Sequence, residues 1–290
     1  MPQATDLLVN DPTTSRFSQE DPRIAAVGSN MLVAWTDLSG LDGDSDSAIR
    51  ARVIATTGEF LSADMLVNTT VTGVQAEPVI APTSSDSFIV IWTDGSGTDS
   101  DGQGIRARRI GSNGAPKEAM DFVVNVTTAG NQTQPAIALG TDDRFLAVWT
   151  DTPPTGPSDI RGRLLHADGA PFGSDVIINT TRTGVQSQPW VTAMQSGYLV
   201  IWTDESLGAG DIDGTAVRAR VLDRDGAGLG DDFVLNTTTR GDQGHPQAIR
   251  LLDGSIFVVF EDDSGQAPDT EGVAVRARRL DIDGAPIGDD

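Results

Sequence analysis

The chain has 290 residues, 38% of them hydrophobic, which is enough for one large domain with a substantial core. Its net charge of −22, from 42 acidic and 20 basic residues, argues against nucleic acid as a partner, because phosphate contacts need a basic surface. The absence of cysteine excludes disulfides, zinc–thiolate sites and cysteine catalysis.

The first predicted element is a short strand at residues 6–10, and it is the first sign of a repeat. The residues that end this strand and its equivalents are Asn10, Asn68, Asn125, Asn179 and Asn236, spaced by 58, 57, 54 and 57 residues. After each Asn come a Q-x-x-P motif, an apolar strand ending in W-T-D or a variant, and an R-x-R pair. Landmarks that keep one order through five units indicate five tandem copies.

Each unit contains four predicted short strands separated by turns such as D-G and N-G. In the third unit the strands are predicted at residues 135–139, 144–150, 159–165 and 175–179. The second strand is apolar on both faces, which suits a strand packed between neighbouring sheets. Four strands in a repeat of this length favour a β-propeller blade, whereas the coils of a β-solenoid, the alternative, are usually shorter.

We therefore predict an all-β, five-bladed β-propeller with four antiparallel strands in each blade, forming a single domain over residues 1–290. The predicted blades are residues 22–68, 78–125, 135–179, 189–236, and 246–284 together with 6–10. The N-terminal strand at residues 6–10 is expected to join the C-terminal blade and close the ring, because closure removes two sheet edges that would otherwise invite aggregation.

The repeated aromatic and arginine residues have a structural explanation. The aromatic residues before T-D are Trp35, Trp92, Trp149, Trp202 and Phe260, and they are expected to form the core between blades. The two arginines of R-x-R lie on one side of the third strand. They are expected to pair with the Asp of W-T-D and so neutralise charge between blades.

The run FLAVWTD…IRGRLLHADGAPFG in the third unit resembles the tandem VWTD…RAR…DG repeats of large secreted or surface proteins of bacteria. The resemblance covers essentially the whole chain. It implies a propeller fold and a secreted or cell-surface location, and it implies no particular activity. The chain shows no signal peptide pattern at its start and no apolar run long enough to span a membrane, so membrane insertion is not expected.

A repeat protein is expected to place its function where the repeat is broken, on the rim that holds its variable loops. The residue before each Q-x-x-P proline begins the innermost strand of its blade, near the central mouth. These residues are Asp21, Glu77, Gln134, Gln188 and His245. They could form a hydrolytic or metal site, or only a polar mouth that holds water. Trp190 also breaks the repeat and could line a pocket or simply pack.

The loops after W-T-D contain alternating acidic residues and glycines, a pattern that can bind a hard cation such as Ca²⁺. The candidate ligands are Asp42, Asp44, Asp46, Asp99, Asp101, Asp211, Asp213, Asp269 and Glu271. The distal Glu of an EF-hand is missing, and the third loop lacks the pattern altogether. These residues could instead only form turns and solvate the loops.

Three functions are compatible with these features. The first is a non-enzymatic extracellular binding or adhesion module, calcium-stabilised and with a glycan or cell-surface ligand, because the sequence contains no recognised catalytic motif. The second is a structural scaffold without a small-molecule ligand. The third is a glycoside hydrolase-like enzyme that uses the carboxylates of the mouth. The first hypothesis assigns no catalytic residue, and the oligomeric state stays open.

Overall fold

The computed structural model describes residues 6–12, 17–41, 43–44, 46–98, 101–208, 211, 213–267 and 270–290. All regular secondary structure in these ranges is β. Twenty strands form five antiparallel sheets of four strands each, which confirms the predicted all-β class and the predicted number of sheets and strands. No helix in these ranges is long and apolar enough to cross a membrane.

The chain divides into two compact units, Met1–Val124 and Asn125–Asp290. The first unit contains two sheets. The strands of the first sheet are β1 (Gln19–Val27), β2 (Asn30–Asp37), β3 (Ala48–Ala55) and β4 (Met65–Leu66). The strands of the second sheet are β5 (Gln75–Pro82), β6 (Ser87–Asp94), β7 (Gly104–Gly111) and β8 (Phe122–Val123).

The second unit contains the other three sheets. The third sheet has β9 (Asn131–Leu139), β10 (Phe145–Thr152), β11 (Asp159–Leu165) and β12 (Pro171–Ile177). The fourth has β13 (Gln186–Ala193), β14 (Gly197–Asp204), β15 (Ala216–Asp223) and β16 (Phe233–Val234). The fifth has β17 (Gln243–Arg250), β18 (Ile256–Asp262), β19 (Ala274–Leu280) and β20 (Pro286–Ile287). In every sheet the strands pair with their sequence neighbours.

The aromatic residues of the W-T-D strands lie in the core, as predicted. Trp92, Trp149 and Trp202 are fully buried, and Trp35 and Phe260 are at most 3% exposed. In the second unit, Trp202 packs in one cluster with Leu146 and Val148 of the preceding sheet. Phe260 packs in another with Leu199 and Ile201. Trp202 and Phe260 therefore each join their own sheet to the sheet before it.

The prediction that residues 6–10 supply a strand to the fifth sheet is wrong. These residues form no strand, and the fourth strand of that sheet is β20. The Asp283–Gly284 turn brings β20 back onto β19, where Pro286 pairs with Leu280. Such a local hairpin needs far less loop-closure entropy than pairing with the distant N-terminus. Closure of the five sheets into a ring stays a prediction.

The N-terminal segment instead lies against the first sheet. The carbonyl oxygen of Val9 accepts a hydrogen bond from Arg52 Nη1 at 2.7 Å, and the backbone N–H of Asp11 donates to Asp64 Oδ2 at 2.6 Å. Both contacts recur one repeat later, where Val67 contacts Arg108 and Thr69 contacts Asp121. The segment therefore makes the contacts of a repeat end without forming a strand.

Gln75 and Asn68 show how the repeated glutamine and asparagine connect motifs through buried hydrogen bonds. In the second sheet, Gln75 Oε1 accepts from Trp92 Nε1 at 2.7 Å, and Gln75 Nε2 donates to Asp94 Oδ1 at 2.5 Å. Asn68 Oδ1 accepts from the backbone N–H of Ile49 at 2.8 Å, at the start of β3. These side chains therefore satisfy backbone and indole groups that are removed from water.

The R-x-R arginines differ in their partners. The first of each pair forms ion pairs inside its own sheet: Arg106 Nε lies 2.8 Å from Asp94 Oδ2, and Arg106 also pairs with Asp121. In the second, fourth and fifth repeats the second arginine contacts the preceding sheet: Arg108 Nη1 donates to the carbonyl oxygen of Val67 at 2.9 Å, and Arg220 and Arg278 donate to the equivalent carbonyl oxygens of Ile178 and Leu235. The prediction of Arg–Asp pairs is confirmed, but these pairs lie within sheets. The contact between sheets is a hydrogen bond to a carbonyl.

Candidate active site

The five residues predicted at the mouth share an unusual backbone conformation. Asp21, Glu77, Gln134, Gln188 and His245 all have φ between 49° and 57°, which is rare for residues other than glycine. Each lies in a β-bulge where the first strand places two residues opposite one residue of the second strand. Bulges redirect side chains, and strained residues concentrate at functional sites, so this position is the best candidate for function.

In the first unit the bulges present two carboxylates. Asp21 on β1 is exposed, and Glu77 on the neighbouring first strand, β5, is half-buried. The hydroxyl of Thr93, from W-T-D, donates to Glu77 Oε2 at 2.8 Å. This contact orients the Glu77 carboxyl group relative to β6.

A cavity of about 140 Å³ is lined by Pro22, the residue that follows Asp21 in the chain. Its lining residues are Val9, Asn10, Gln19, Pro22, Val33 and Trp35. Trp35 Nε1 and Gln19 Oε1 are buried and form no hydrogen bond. In the second and fourth repeats the equivalent indole and amide bond directly to each other, at 2.7 and 2.6 Å. In the third repeat Trp149 Nε1 also lacks a partner, but among the described residues only the first of these repeats leaves both the indole nitrogen and the amide oxygen unsatisfied beside a cavity.

In the second unit the bulge residues form a line of hydrogen bonds from sheet to sheet. The backbone N–H of Gln188 donates to Gln134 Oε1 at 3.0 Å, and the backbone N–H of His245 donates to Gln188 Oε1 at 3.4 Å. Gln188 Nε2 lies 2.7 Å from His245 Nε2. The structure therefore brings together the three predicted residues of this unit.

The line ends at Glu261, which the sequence analysis did not single out. His245 Nδ1 lies 3.0 Å from Glu261 Oε2, and both side chains are more than half exposed. Glu261 stands where the other repeats have the Thr of W-T-D, because the fifth motif is F-E-D. The sequence could have revealed Glu261, because the fifth repeat departs from the others at both His245 and Glu261, and these two residues contact each other.

Trp190 packs between two sheets of the second unit. Its indole Nε1 donates to the carbonyl oxygen of Ala248 at 2.9 Å, and its ring contacts the core between the fourth and fifth sheets. Ala248 lies on β17, so the indole joins two adjacent first strands of the second unit.

The acidic loops contain buried as well as exposed carboxylates. Asp44 and Asp211 are buried, whereas the exposed residues are Asp46, Asp101, Asp213 and Glu271. Asp42, Asp99 and Asp269 lie outside the described residues. Within the described ranges, no three His, Asp or Glu side chains form a group that could hold a metal ion. Calcium binding by these loops stays a prediction.

Asp44 gives that prediction a sharp test. Burial raises its pKa, although hydrogen bonds from Asp46 and Asn68 oppose the shift, and its Oδ2 accepts no hydrogen bond. Without calcium, we expect Asp44→Asn to stabilise the chain by about 1 kcal/mol, because the substitution removes a desolvated charge. With calcium, it should abolish any calcium-dependent rise in melting temperature. Melting both proteins in EDTA and in calcium checks this, and equal shifts by calcium in both would contradict it.

No family model matches the chain. An oligoribonuclease from Hahella chejuensis (strain KCTC 2396) is 31% identical over 119 residues, which is 39% of this chain and 59% of that protein. The chain thus spans less than two thirds of the curated relative that it matches. The similarity does not show family membership, and the charge of −22 argues against an RNA substrate.

Solved structures show the same fold at low identity. A protein of unknown function from Dyadobacter fermentans DSM 18053 has a TM-score of 0.61 at 11% identity, with 93% of this chain and 80% of that chain covered. A thermostable family-43 glycoside hydrolase has a TM-score of 0.52 at 13% identity, with 96% of each chain covered. An α-L-arabinofuranosidase from Lactobacillus brevis has a TM-score of 0.52 at 12% identity, with 94% of each covered.

These structures correct the expectation of a non-enzymatic binding or adhesion module. Two of the three proteins that share the fold are glycoside hydrolases by name, so the comparison favours the hydrolase alternative. At this identity the likeness itself is a likeness of fold. The prediction of a non-enzyme, which rested on the lack of a catalytic motif, was therefore wrong. Glycoside hydrolysis needs only positioned carboxyl groups, and these have no fixed local sequence signature.

Proposed function

We propose that the chain is a glycoside hydrolase-like enzyme whose catalytic groups are Asp21 and Glu77. The observation that supports this most directly is the pair of bulges that place Asp21 and Glu77 on the neighbouring first strands β1 and β5. Glycoside hydrolysis needs two positioned carboxyl groups, and these two residues supply them.

The chemistry of the two carboxyl groups fits this proposal. In glycoside hydrolysis one carboxylic acid gives a proton to the leaving oxygen as the glycosidic C–O bond breaks. The other, as a carboxylate, attacks the anomeric carbon or takes a proton from the water that attacks it. Because Glu77 accepts a hydrogen bond from Thr93, which holds its carboxyl group in place, we assign the carboxylate role to Glu77 and the acid role to Asp21.

The test is hydrolysis of arabinan and of 4-nitrophenyl α-L-arabinofuranoside, substrates suggested by the names of proteins that share the fold. We expect Asp21→Asn and Glu77→Gln each to lower kcat about 10²- to 10⁴-fold, the usual contribution of general acid–base catalysis. Glu20→Gln, a change of the exposed residue next to Asp21, is the matched control and should leave kcat unchanged. Full activity in both catalytic variants, or no hydrolysis by the wild type, would overturn the proposal.

A further inference from the structure

The fifth repeat differs from the others at two residues that contact each other. In the second, third and fourth repeats, the Thr of W-T-D donates its hydroxyl hydrogen to the side chain of the bulge residue, at 2.8 to 2.9 Å. In the fifth repeat Glu261 replaces that Thr, and His245 occupies the bulge. The longer acidic side chain is 53% exposed, so this repeat presents a carboxylate to solvent where the second, third and fourth repeats have a short hydroxyl that is used internally.

The hydrogen bonds around Gln188 fix the tautomer of His245. Gln188 Oε1 accepts from Thr203 Oγ1 at 2.9 Å and from the backbone N–H of His245, so the other terminal atom of the amide is its NH₂ group. That NH₂ group faces His245 Nε2, which must therefore accept. The ring hydrogen is then on Nδ1, where it donates to Glu261 Oε2.

Glu261 therefore has a fixed orientation and remaining capacity as an acceptor. A carboxylate offers about four lone-pair positions, and the Nδ1–H of His245 uses one of them. A ligand at this place must supply hydrogen-bond donors or positive charge. The net charge of −22 disfavours an anion, and paired hydroxyl groups of a neutral sugar match a carboxylate that can accept two hydrogen bonds.

We propose that Glu261, held by His245 and Gln188, binds adjacent hydroxyl groups of a neutral glycan. The assignment of the glycan as a substrate rests on the proposed hydrolase function. The hydroxyl-binding role itself does not, because it can be measured without turnover. Glu261 is the binding group, and His245 and Gln188 are positioning residues.

Nuclear magnetic resonance of the imidazoles tests the geometry. The chain has two histidines, His166 and His245, so His245→Gln assigns the signals by loss of one set. We expect the ¹⁵N shifts of His245 at neutral pH to show hydrogen on Nδ1. Addition of arabinotriose should shift these signals in the wild type and not in Glu261→Thr. Hydrogen on Nε2, or equal shifts in both proteins, would overturn the proposal, as would a larger shift with CaCl₂ than with the sugar.

The test variants restore residues that the chain itself uses in other repeats, so they should fold. Thr occupies the position of Glu261 in four repeats, and Gln occupies the position of His245 in two. Titration of the His245 signals with arabinotriose gives a Kd, and Glu261→Thr should raise this Kd about tenfold or more, as expected for a lost hydrogen bond to a charged group. Glu205→Gln, at another exposed acid of the second unit, should leave the Kd unchanged. An unchanged Kd in Glu261→Thr would refute the role of Glu261 and would leave the hydrolysis assay of Asp21 and Glu77 unaffected.

Discussion

Replacing Arg218 by alanine is expected to lower the free energy of unfolding of the second unit by about 3–5 kcal/mol. The side chain is 2% exposed, and its Nε lies 2.5 Å from Asp204 Oδ2 while its Nη1 lies 2.8 Å from Asp232 Oδ1. Removing the guanidinium leaves two buried carboxylates without their shared counter-charge, and a buried unpaired charge is among the most costly defects in a fold. Denaturant unfolding followed by tryptophan fluorescence measures the loss.

Two further variants separate charge from geometry. Arg218→Lys keeps the charge, but lysine lacks the planar guanidinium that pairs with two carboxylates at once. The free energy of unfolding of this variant should therefore lie between those of the wild type and the alanine variant. Arg224→Ala removes an equivalent side chain from the surface and should cost less than about 0.5 kcal/mol. If Arg218→Ala were no more destabilising than Arg224→Ala, the ion pairs would not be holding the sheet together.

The fold could be predicted from the sequence because its determinants are local and repeated five times. The apolar W-T-D strands predicted buried second strands, and β10 at Phe145–Thr152 lies close to the predicted range 144–150. The fourth strand was placed less well: β12 spans Pro171–Ile177, whereas the prediction began at residue 175. A D-G turn limits where the next strand can begin, but it does not determine which residue is the first to pair with the preceding strand.

The strained bulges could not be predicted, because they depend on pairing between strands. A residue before proline is normally extended, yet Glu77 has φ 57°. The conformation arises because Glu77 and Pro78 together oppose Trp92, between the pairs Ala76–Thr93 and Val79–Ile91. Register of this kind depends on two paired strands together. The sequence identified the bulge residues from their position before each proline, and it gave no sign of their unusual backbone conformation.

The candidate site was likewise only partly predictable from the sequence. Asp21, Glu77 and His245 were visible as breaks in a repeat, and comparing the fifth F-E-D with W-T-D would have added Glu261. The cavity lined by Gln19 and Trp35 was not visible, because both are the same residue types as in the second and fourth repeats. Only their packing leaves the amide oxygen and indole nitrogen without partners.

Acid is expected to destabilise the chain through one repeated aspartate, represented by Asp232. Burial opposes its ionisation, but hydrogen bonds from the backbone and hydroxyl groups of Thr181 and Thr180 outweigh burial and lower its pKa. Because the folded pKa lies below the value of about 4 for an unfolded aspartate, the ionised form stabilises the fold above about pH 4. This stabilisation is lost as the pH falls through the folded pKa. Asp121 and Asp175 also have lowered pKa values, so three sheets should weaken together.

Asp232→Asn isolates this contribution. At pH 6 the variant should lose about 2–4 kcal/mol, since the charged acceptor of the Thr180 and Thr181 groups and a partner of Arg218 are removed. Below about pH 4 the aspartate is protonated first in the unfolded chain and then, as the pH falls through its lowered pKa, in the folded protein, so the difference between the two proteins should shrink. Asp231→Asn, at the exposed neighbour, should stay close to the wild type throughout. A difference between wild type and Asp232→Asn that stays constant from pH 6 to pH 3 would mean that the charge of Asp232 does not stabilise the fold.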